Sequence, residues 1–454
     1  MAERIRYRRI LILAPPFYSH FRPLKALASA LLESGAQVIV ASDTAFAGEL
    51  EGTGLDFREL TLNRNANSGT ARLTEQGTEE KRRLEEFLSA TRIGPVETLI
   101  TQGRHRQADM LPDPRGLAID LGGLLRSLNP DLVIVDQLSY GATLTLHGMQ
   151  QPFATFCAPH PHSIPGPAEL FSVPRRWPSC FSVPPQAEER LKATAAEIDR
   201  LFTGIFNDAL QEIFSAPPVE SAFALASDRH IIYNYPEFSR ALHKEASGVE
   251  HIYAGHSVSE EHLSREWRER LMPRRERIMI VLGTFLASRE DVLKRLLEGL
   301  SQLRPSAQIV VGAGDSVASL VGMRRRELVL ERFLPQRALL PEMDLVFHHG
   351  GVGSFTETLH AAKAAVALPF SSDQFDVAVD IEEQRLGSVL DPNHFTLDDL
   401  HRALALTDSE ETGNCVAIES ETIGRRGPGW AAECLQYGPA NPAERGYTEP
   451  RSNL

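Results

Sequence analysis

The sequence predicts an α/β protein built as two doubly wound, Rossmann-like domains that face one another across a cleft. Three observations predict it. The chain has 454 residues, more than one hydrophobic core sustains, because cores stop growing at roughly 250 to 300 residues. Short apolar runs alternate with helical stretches in both halves, the pattern of parallel strands joined by crossover helices. In the second half one apolar run leads straight into a glycine turn and a helix, which is how such a sheet builds an anion site.

In the first half, Arg9 to Ala14 is the first strand and PPFYSH the loop behind it. Pro23 stands where a first-turn proline opens a helix that runs to about Ser34 and stops at Gly35. Ala36 to Ala41 and Asp56 to Leu60 are the next strands, followed by a polar segment from Asn63 to Gln76 that is expected to be mobile. Helices are expected over Glu79 to Thr91 and Arg115 to Leu128, then strands over Asp131 to Val135 and Pro152 to Cys157. The stretch from Pro159 to Pro185 is rich in proline and aromatics and has neither period, so it reads as a long functional loop. Lys192 to Phe214 returns to helix, and Arg229 to Asn234 and Glu250 to Tyr253 are short strands.

The second half repeats the alternation. Strands are expected at Arg277 to Leu282, Gln308 to Val311, Leu328 to Glu331, Leu345 to Phe347, Ala365 to Leu368 and Gly387 to Leu390, and helices at Asp291 to Leu303, Ser354 to Lys363 and Thr396 to about Leu406. This divides the chain into a first domain over 1–258, a charged linker over 259–276, a second domain over 277–429 and a tail over 430–454.

Charge and composition exclude several classes of function. A net charge of −13 argues against a nucleic-acid or anionic-membrane partner, so any phosphate must be held locally. No run of about 18 apolar residues occurs, so no membrane span is expected, and the basic, apolar N-terminus stops too soon at Pro15-Pro16 to be a signal peptide. The four cysteines are widely spaced, which fits reduced thiols in a cytoplasmic protein, either monomer or homodimer. His348-His349 and His160/His162 lack the spacing of a zinc site, and no Asp-x-Asp occurs, so no metal is expected.

The chemistry concentrates in EMDLVFHHGGVGSFTETLHAAKAAVALPFSSDQFD, Glu342 to Asp376. Gly350, Gly351 and Gly353 let the backbone approach an anion, Ser354 stands at the helix start, and His349 can donate to the same anion. Asp373 and Gln374 follow the next strand, a carboxylate and an amide suited to neighbouring hydroxyls. In the first half, His20 is the candidate base and Asp136, at a strand end, the carboxylate that would orient it. Asp131 is a poorer candidate for that role, and simple helix capping by Asp136 is the competing reading.

The set PQ (Pro335, Gln336), HHGGVGS (His348 to Ser354), Glu357 and DQ (Asp373, Gln374) resembles the nucleotide-sugar signature of the family 1, GT-B-fold, inverting glycosyltransferases of plants and bacterial natural-product pathways. The resemblance implies that Gln336 contacts the base, Glu357 the ribose, His349, Gly351, Gly353 and Ser354 the diphosphate, and Asp373 and Gln374 the sugar. SHFRP around His20 matches the family's His-x-x-Pro element, with Asp136 as its partner, and Thr284 stands where a donor contact is expected. Phe333 in place of tryptophan and Val352-Gly353 in place of Trp-Asn look bacterial and leave uridine and thymidine both open. The function implied is cofactor-free transfer of a hexose, glucose first, from UDP-glucose or a dTDP-sugar to a lipophilic small-molecule hydroxyl. APPFYSHFRP adds a resemblance to the opening of bacterial carotenoid glucosyltransferases.

Other functions compete. Gly351-x-Gly353 with Asp373 imitates a dinucleotide fingerprint, but Thr356 occupies the third glycine position. Asp136-Gln-Leu-Ser139-Tyr-Gly141 lacks the first glycine of a nucleophile elbow. A nucleotide-sugar epimerase on the same fold has no need of the apolar loop from Pro159 to Pro185, and a non-catalytic sugar-nucleotide-binding partner has no need of both His20 and Asp136.

Overall fold

Parallel strands covered on both faces read as unbroken apolar runs, and the runs of the first half form such strands in the computed structural model, which describes residues 6–62, 78–107, 110–238, 248–283, 286–323 and 325–438. They are β1 (Arg9–Leu13), β2 (Gln37–Ser42), β3 (Asp56–Glu59), β4 (Leu132–Asp136), β5 (Phe153–Cys157), β6 (His230–Tyr233) and β7 (Glu250–Tyr253). All pair in parallel, in the order β3-β2-β1-β4-β5-β6-β7. The helices of this half are α1 (Tyr18–Glu33), α2 (Thr78–Ile93), α3 (Pro95–Gln107), α4 (Pro114–Leu128), α5 (Tyr140–Gly148) and α6 (Pro185–Phe214). The polar segment Asn63 to Gln76 lies outside the described residues.

The second sheet is also parallel, in the order β10-β9-β8-β11-β12-β13. Its strands are β8 (Arg277–Val281), β9 (Gln308–Gly312), β10 (Leu328–Glu331), β11 (Leu345–His348), β12 (Ala365–Ala367) and β13 (Gly387–Val389). The accompanying helices are α7 (Arg265–Arg270), α8 (Glu290–Leu303), α9 (Val317–Leu320), α10 (Gln336–Leu339), α11 (Val352–His360), α12 (Gln374–Glu383), α13 (Leu397–Thr407), α14 (Glu410–Gly424) and α15 (Pro428–Tyr437). Helix α8 shows why the sequence folds so: Val292, Leu293, Leu296, Leu297 and Leu300 line one face and are buried on the sheet. Two doubly wound parallel sheets, as the sequence predicts, are thus present.

Several expectations need correction. Pro23 does not open its helix. The Phe17 carbonyl accepts from the N–H groups of both His20 and Phe21, so α1 begins at Tyr18 and carries Pro23 inside it, with His20 in its first turn rather than in a loop. Helix α11 begins at Val352 with Gly351 as its extended N-cap, which makes Ser354 the third helical residue. Asp373 and Gln374 stand at the start of α12, a helix that the sequence reading did not place.

Each sheet changes direction at one point, β1 beside β4 and β8 beside β11, and ligands gather at the carboxyl ends of strands at such points. The two halves meet through a mixed core. Phe375 of α12, fully buried, packs with Val96, Leu99, Ile100 and Leu191 of the first half. Trp177 and Phe181 of the long loop meet Phe375 edge to face, with ring centroids 5.2 and 5.5 Å apart, and Phe156 is buried in the first sheet. Arg289 on the second half hydrogen-bonds the Thr91 carbonyl at 3.0 Å. Helix α15 returns to the first half, where Ala431, Ala432 and Leu435 join the core over α1. Residues 439–454 of the tail lie outside the described residues.

Candidate active site

His20 and Asp136 are separated by 116 positions in sequence, and the β1–β4 pairing brings them together. Asp136 ends β4 and is fully buried. Its Oδ2 lies 2.9 Å from His20 Nδ1, and its Oδ1 also accepts the Leu138 N–H at 2.9 Å. The carboxylate is therefore held from behind while it holds the imidazole. With Nδ1–H donated to Asp136, Nε2 carries the free lone pair, the arrangement of an oriented general base. Asp131 sits at the opposite end of the strand, where it accepts from the N–H groups of Arg8 and Arg9.

Facing this pair, the turn after β11 carries the residues predicted to hold an anion. Gly350 has φ +81° and gives its N–H to His348 Nδ1 at 2.9 Å. His348 is fully buried, and burial drives its pKa down to about 3, so it is a neutral structural acceptor. His349 lies against Gly283, whose φ is +79°. Burial lowers its pKa to about 4 in spite of the opposing charge of Asp373, leaving a neutral imidazole beside the start of α11. The first N–H groups of α11 have no partner within their own helix and point the positive end of its dipole into the cleft.

A cavity of about 430 Å³ joins the two groups: His20, Tyr18, Phe87, Arg106, Leu138 and Phe171 line it from the first half, and Gly283, His349, Gly351, Gly353, Ser354, Ser372, Asp373 and Gln374 from the second. It runs past Gly283 and Ser354 into a second chamber of about 460 Å³ lined by Phe333, Gln336, Arg337 and Glu357. There Gln336 Nε2 donates to Glu357 Oε2 at 2.7 Å, and Arg337 Nε to Glu357 Oε1 at 2.7 Å. Arg337 was not singled out in the sequence, although it directly follows the PQ pair. A larger groove of about 720 Å³ lies beside β13, bordered by Ser179, Asp391 and Arg402, and none of the predicted site residues lines it. Thr284 lies outside the described residues.

Asp373 and Gln374 line the cavity, yet each has one oxygen already engaged. Asp373 Oδ2 accepts the His160 N–H at 2.8 Å, and Gln374 Oε1 accepts from Phe370 and Ser371 at 2.9 and 3.1 Å. They therefore present Oδ1 and the amide nitrogen to a ligand. The acids of α12 continue this theme. Asp376 Oδ1 meets His162 Nδ1 at 3.1 Å, while Asp380 Oδ2 meets His160 Nε2 at 3.1 Å and the Tyr235 hydroxyl at 2.9 Å. His160 and His162, which had no visible partners in the sequence, thus gain Asp376 within metal-ligand reach. His160 Nε2 and His162 Nδ1 are engaged by these carboxylates in a hydrogen-bonded clasp between the halves, and His162 Nε2 is buried without a partner among the described residues.

No family model matches the chain. It is 24% identical over 439 residues to the 10-deoxymethynolide desosaminyltransferase of Streptomyces venezuelae, covering 92% of this chain and 93% of that protein. It is 22% identical over 385 residues to the zeaxanthin glucosyltransferase of Pantoea ananas, 83% of each chain. Among solved structures, the glycotransferase of kitacinnamycin superposes with a TM-score of 0.64 at 18% identity, over 95% of this chain and 98% of that one. The glycosyltransferase VinC in complex with DTDP gives 0.63 at 17%, over 94% and 98%. Fold, signature turn and full-length relatives agree: the chain has the GT-B fold and is similar along most of its length to family 1 glycosyltransferases of the macrolide and natural-product type.

Proposed function

We propose that the chain is an inverting, metal-independent glycosyltransferase that moves a hexose from a nucleoside diphosphate sugar to a hydroxyl group of a lipophilic natural product. The observation that carries this is the single cavity onto which both the His20–Asp136 pair and the His349–Ser354 turn open. His20 Nε2 takes the acceptor proton as the hydroxyl oxygen attacks the anomeric carbon. Asp136 stabilises the imidazolium that forms, and the diphosphate departs toward the N-terminus of α11. One displacement inverts the anomeric centre. Gln336 and Glu357 hold the nucleoside in the second chamber, and Asp373 and Gln374 meet the sugar.

Both thymidine and uridine donors suit the bacterial form of the signature. Two fold neighbours were solved with thymidine diphosphate, which favours dTDP. For the sugar, glucose remains the first candidate, since Asp373 Oδ1 and the Gln374 amide can serve two hydroxyls. The relatives named above transfer desosamine in one case and glucose in the other. The deciding test is calorimetric binding of dTDP, UDP and NAD, with and without EDTA. Micromolar binding of a pyrimidine nucleotide that survives EDTA is expected. Binding of NAD alone would overturn the reading, and binding lost to EDTA would remove its metal independence.

A further inference from the structure

Arg106 is the unusual cation of the cleft. It lies near the end of α3, part-buried, and lines the same cavity as His20 and Asp373. Its polar contacts are hydroxyls: Nη2 donates to Ser372 Oγ at 3.1 Å and Nη1 to Ser172 Oγ at 3.5 Å, with the guanidinium 5.8 Å from the centre of the Phe171 ring. Among the described residues no carboxylate comes within ion-pairing distance of it. Four other arginines removed at least in part from solvent do have one. Arg289 has Asp291, Arg337 has Glu357, Arg426 has Glu237 and Arg270 has Glu331.

A guanidinium taken out of water and met only by neutral hydroxyls is under-compensated, because its planar fork matches an oxyanion and serine does not. Burial accordingly lowers its pKa, with Asp373 and Tyr140 opposing from a distance. The donor diphosphate, by the functional reading above, is already provided for at His349 and α11. The fork is therefore open to a different anion.

We propose that Arg106 is a specificity residue that receives a carboxylate carried by one of the two substrates, the acceptor being the favoured carrier. This rests on the glycosyltransferase reading. Arg106 belongs to the first half, and Phe87, Leu138 and Phe171 line the same cavity from that side, so the ligand that suits it has an apolar body and one acidic group. A nucleotide-linked uronic acid presents the same chemistry from the donor side, since Ser372 adjoins Asp373.

The test compares wild type with Arg106→Gln and Arg106→Lys by calorimetry, using hydroxynaphthoate against its methyl ester, with and without dTDP, and UDP-glucuronate against UDP-glucose. A preference of about tenfold to a hundredfold for the acid over its neutral partner, abolished in Arg106→Gln and only partly kept in Arg106→Lys, is the expected result. Preference in the naphthoate pair assigns the carboxylate to the acceptor, and preference in the sugar-nucleotide pair assigns it to the donor. Wild type without a preference for either acid, or Arg106→Gln with an unchanged one, overturns the proposal. Pyrimidine nucleotide binding retained in Arg106→Gln shows an intact donor half. Its absence from wild type instead removes the transferase reading, whatever Arg106 does.

Discussion

The His349 imidazole lies so close over Gly351 that a β-carbon there would stand 2.4 Å from Nε2, and one on Gly283 would stand 2.9 Å from Cε1. Gly353, two residues on, has nothing within 4 Å of the same position. The glycines of this turn thus serve different purposes. Gly351→Ala should displace His349 and weaken dTDP binding by at least about tenfold. Gly353→Ala, at the second position of α11, should leave stability within about 1 kcal/mol and still weaken dTDP, because the new methyl enters the cavity. Equal dTDP affinity for Gly353→Ala and wild type would mean that no phosphate approaches this backbone.

The His20–Asp136 pair predicts a split between chemistry and donor binding. His20→Ala should lower kcat by about a hundredfold to ten-thousandfold, with the dTDP dissociation constant unchanged. Asp136→Asn should also lower kcat, because a side-chain amide can present N–H to Nδ1 and turn the imidazole to the wrong tautomer. Initial rates beside nucleotide titrations check this. Near-normal turnover by His20→Ala would remove the base from the mechanism.

Stability should fall with acid over a defined range. Burial holds His348 and His256 to about 3 and His349 to about 4, whereas an unfolded histidine titrates near 6.5. Below about 6.5 the unfolded chain binds protons that the folded chain refuses, so unfolding free energy drops as pH falls, by up to about 1.4 kcal/mol per unit for each such histidine. His256 Nδ1 accepts the Val258 N–H at 3.0 Å, an acceptor role that asparagine can imitate. Melting curves of His256→Asn should therefore have a shallower acid limb than wild type. Identical limbs would show that His256 takes no part in it.

His160 works in the opposite sense. Burial opposes its charge, but the hydrogen bond and field of Asp380 prevail and raise its pKa. The stability it contributes is complete below the ordinary histidine range and is lost as pH rises through the raised value. Asp380→Asn strips the charge from a buried contact between the halves and should cost about 3 kcal/mol, read as a lower urea midpoint. A midpoint equal to wild type would reduce the clasp to a passive contact.

The alternation of strands and helices was legible because parallel strands such as LVIVD are apolar on both faces and α8 is apolar on one. The signature turn was legible because glycine, histidine and serine at close spacing do local work. What escaped reading depends on distant partners. Helix α12 was not placed because its Asp376 and Asp380 are buried for the sake of His162 and His160, more than 200 positions away. Helix α14 was not placed either, since Val416 and Ile423 share their core with tyrosines of the first half. Arg106 carried no local signal at all. Its interest lies in the carboxylates it does not meet.

The chain passes between the halves twice, once after β7 and once through α14, and the passages run side by side. The Gly427 N–H donates to the Ala254 carbonyl at 2.7 Å, and a β-carbon on Gly255 would stand 3.3 Å from Ile423 Cβ. Two adjacent passages tie the halves together along one line at this edge of the molecule. Gly427, with φ +100° and no room for a β-carbon beside His256, stands on that line. A side chain there would push on His256 and strain the backbone at the point where the two passages meet.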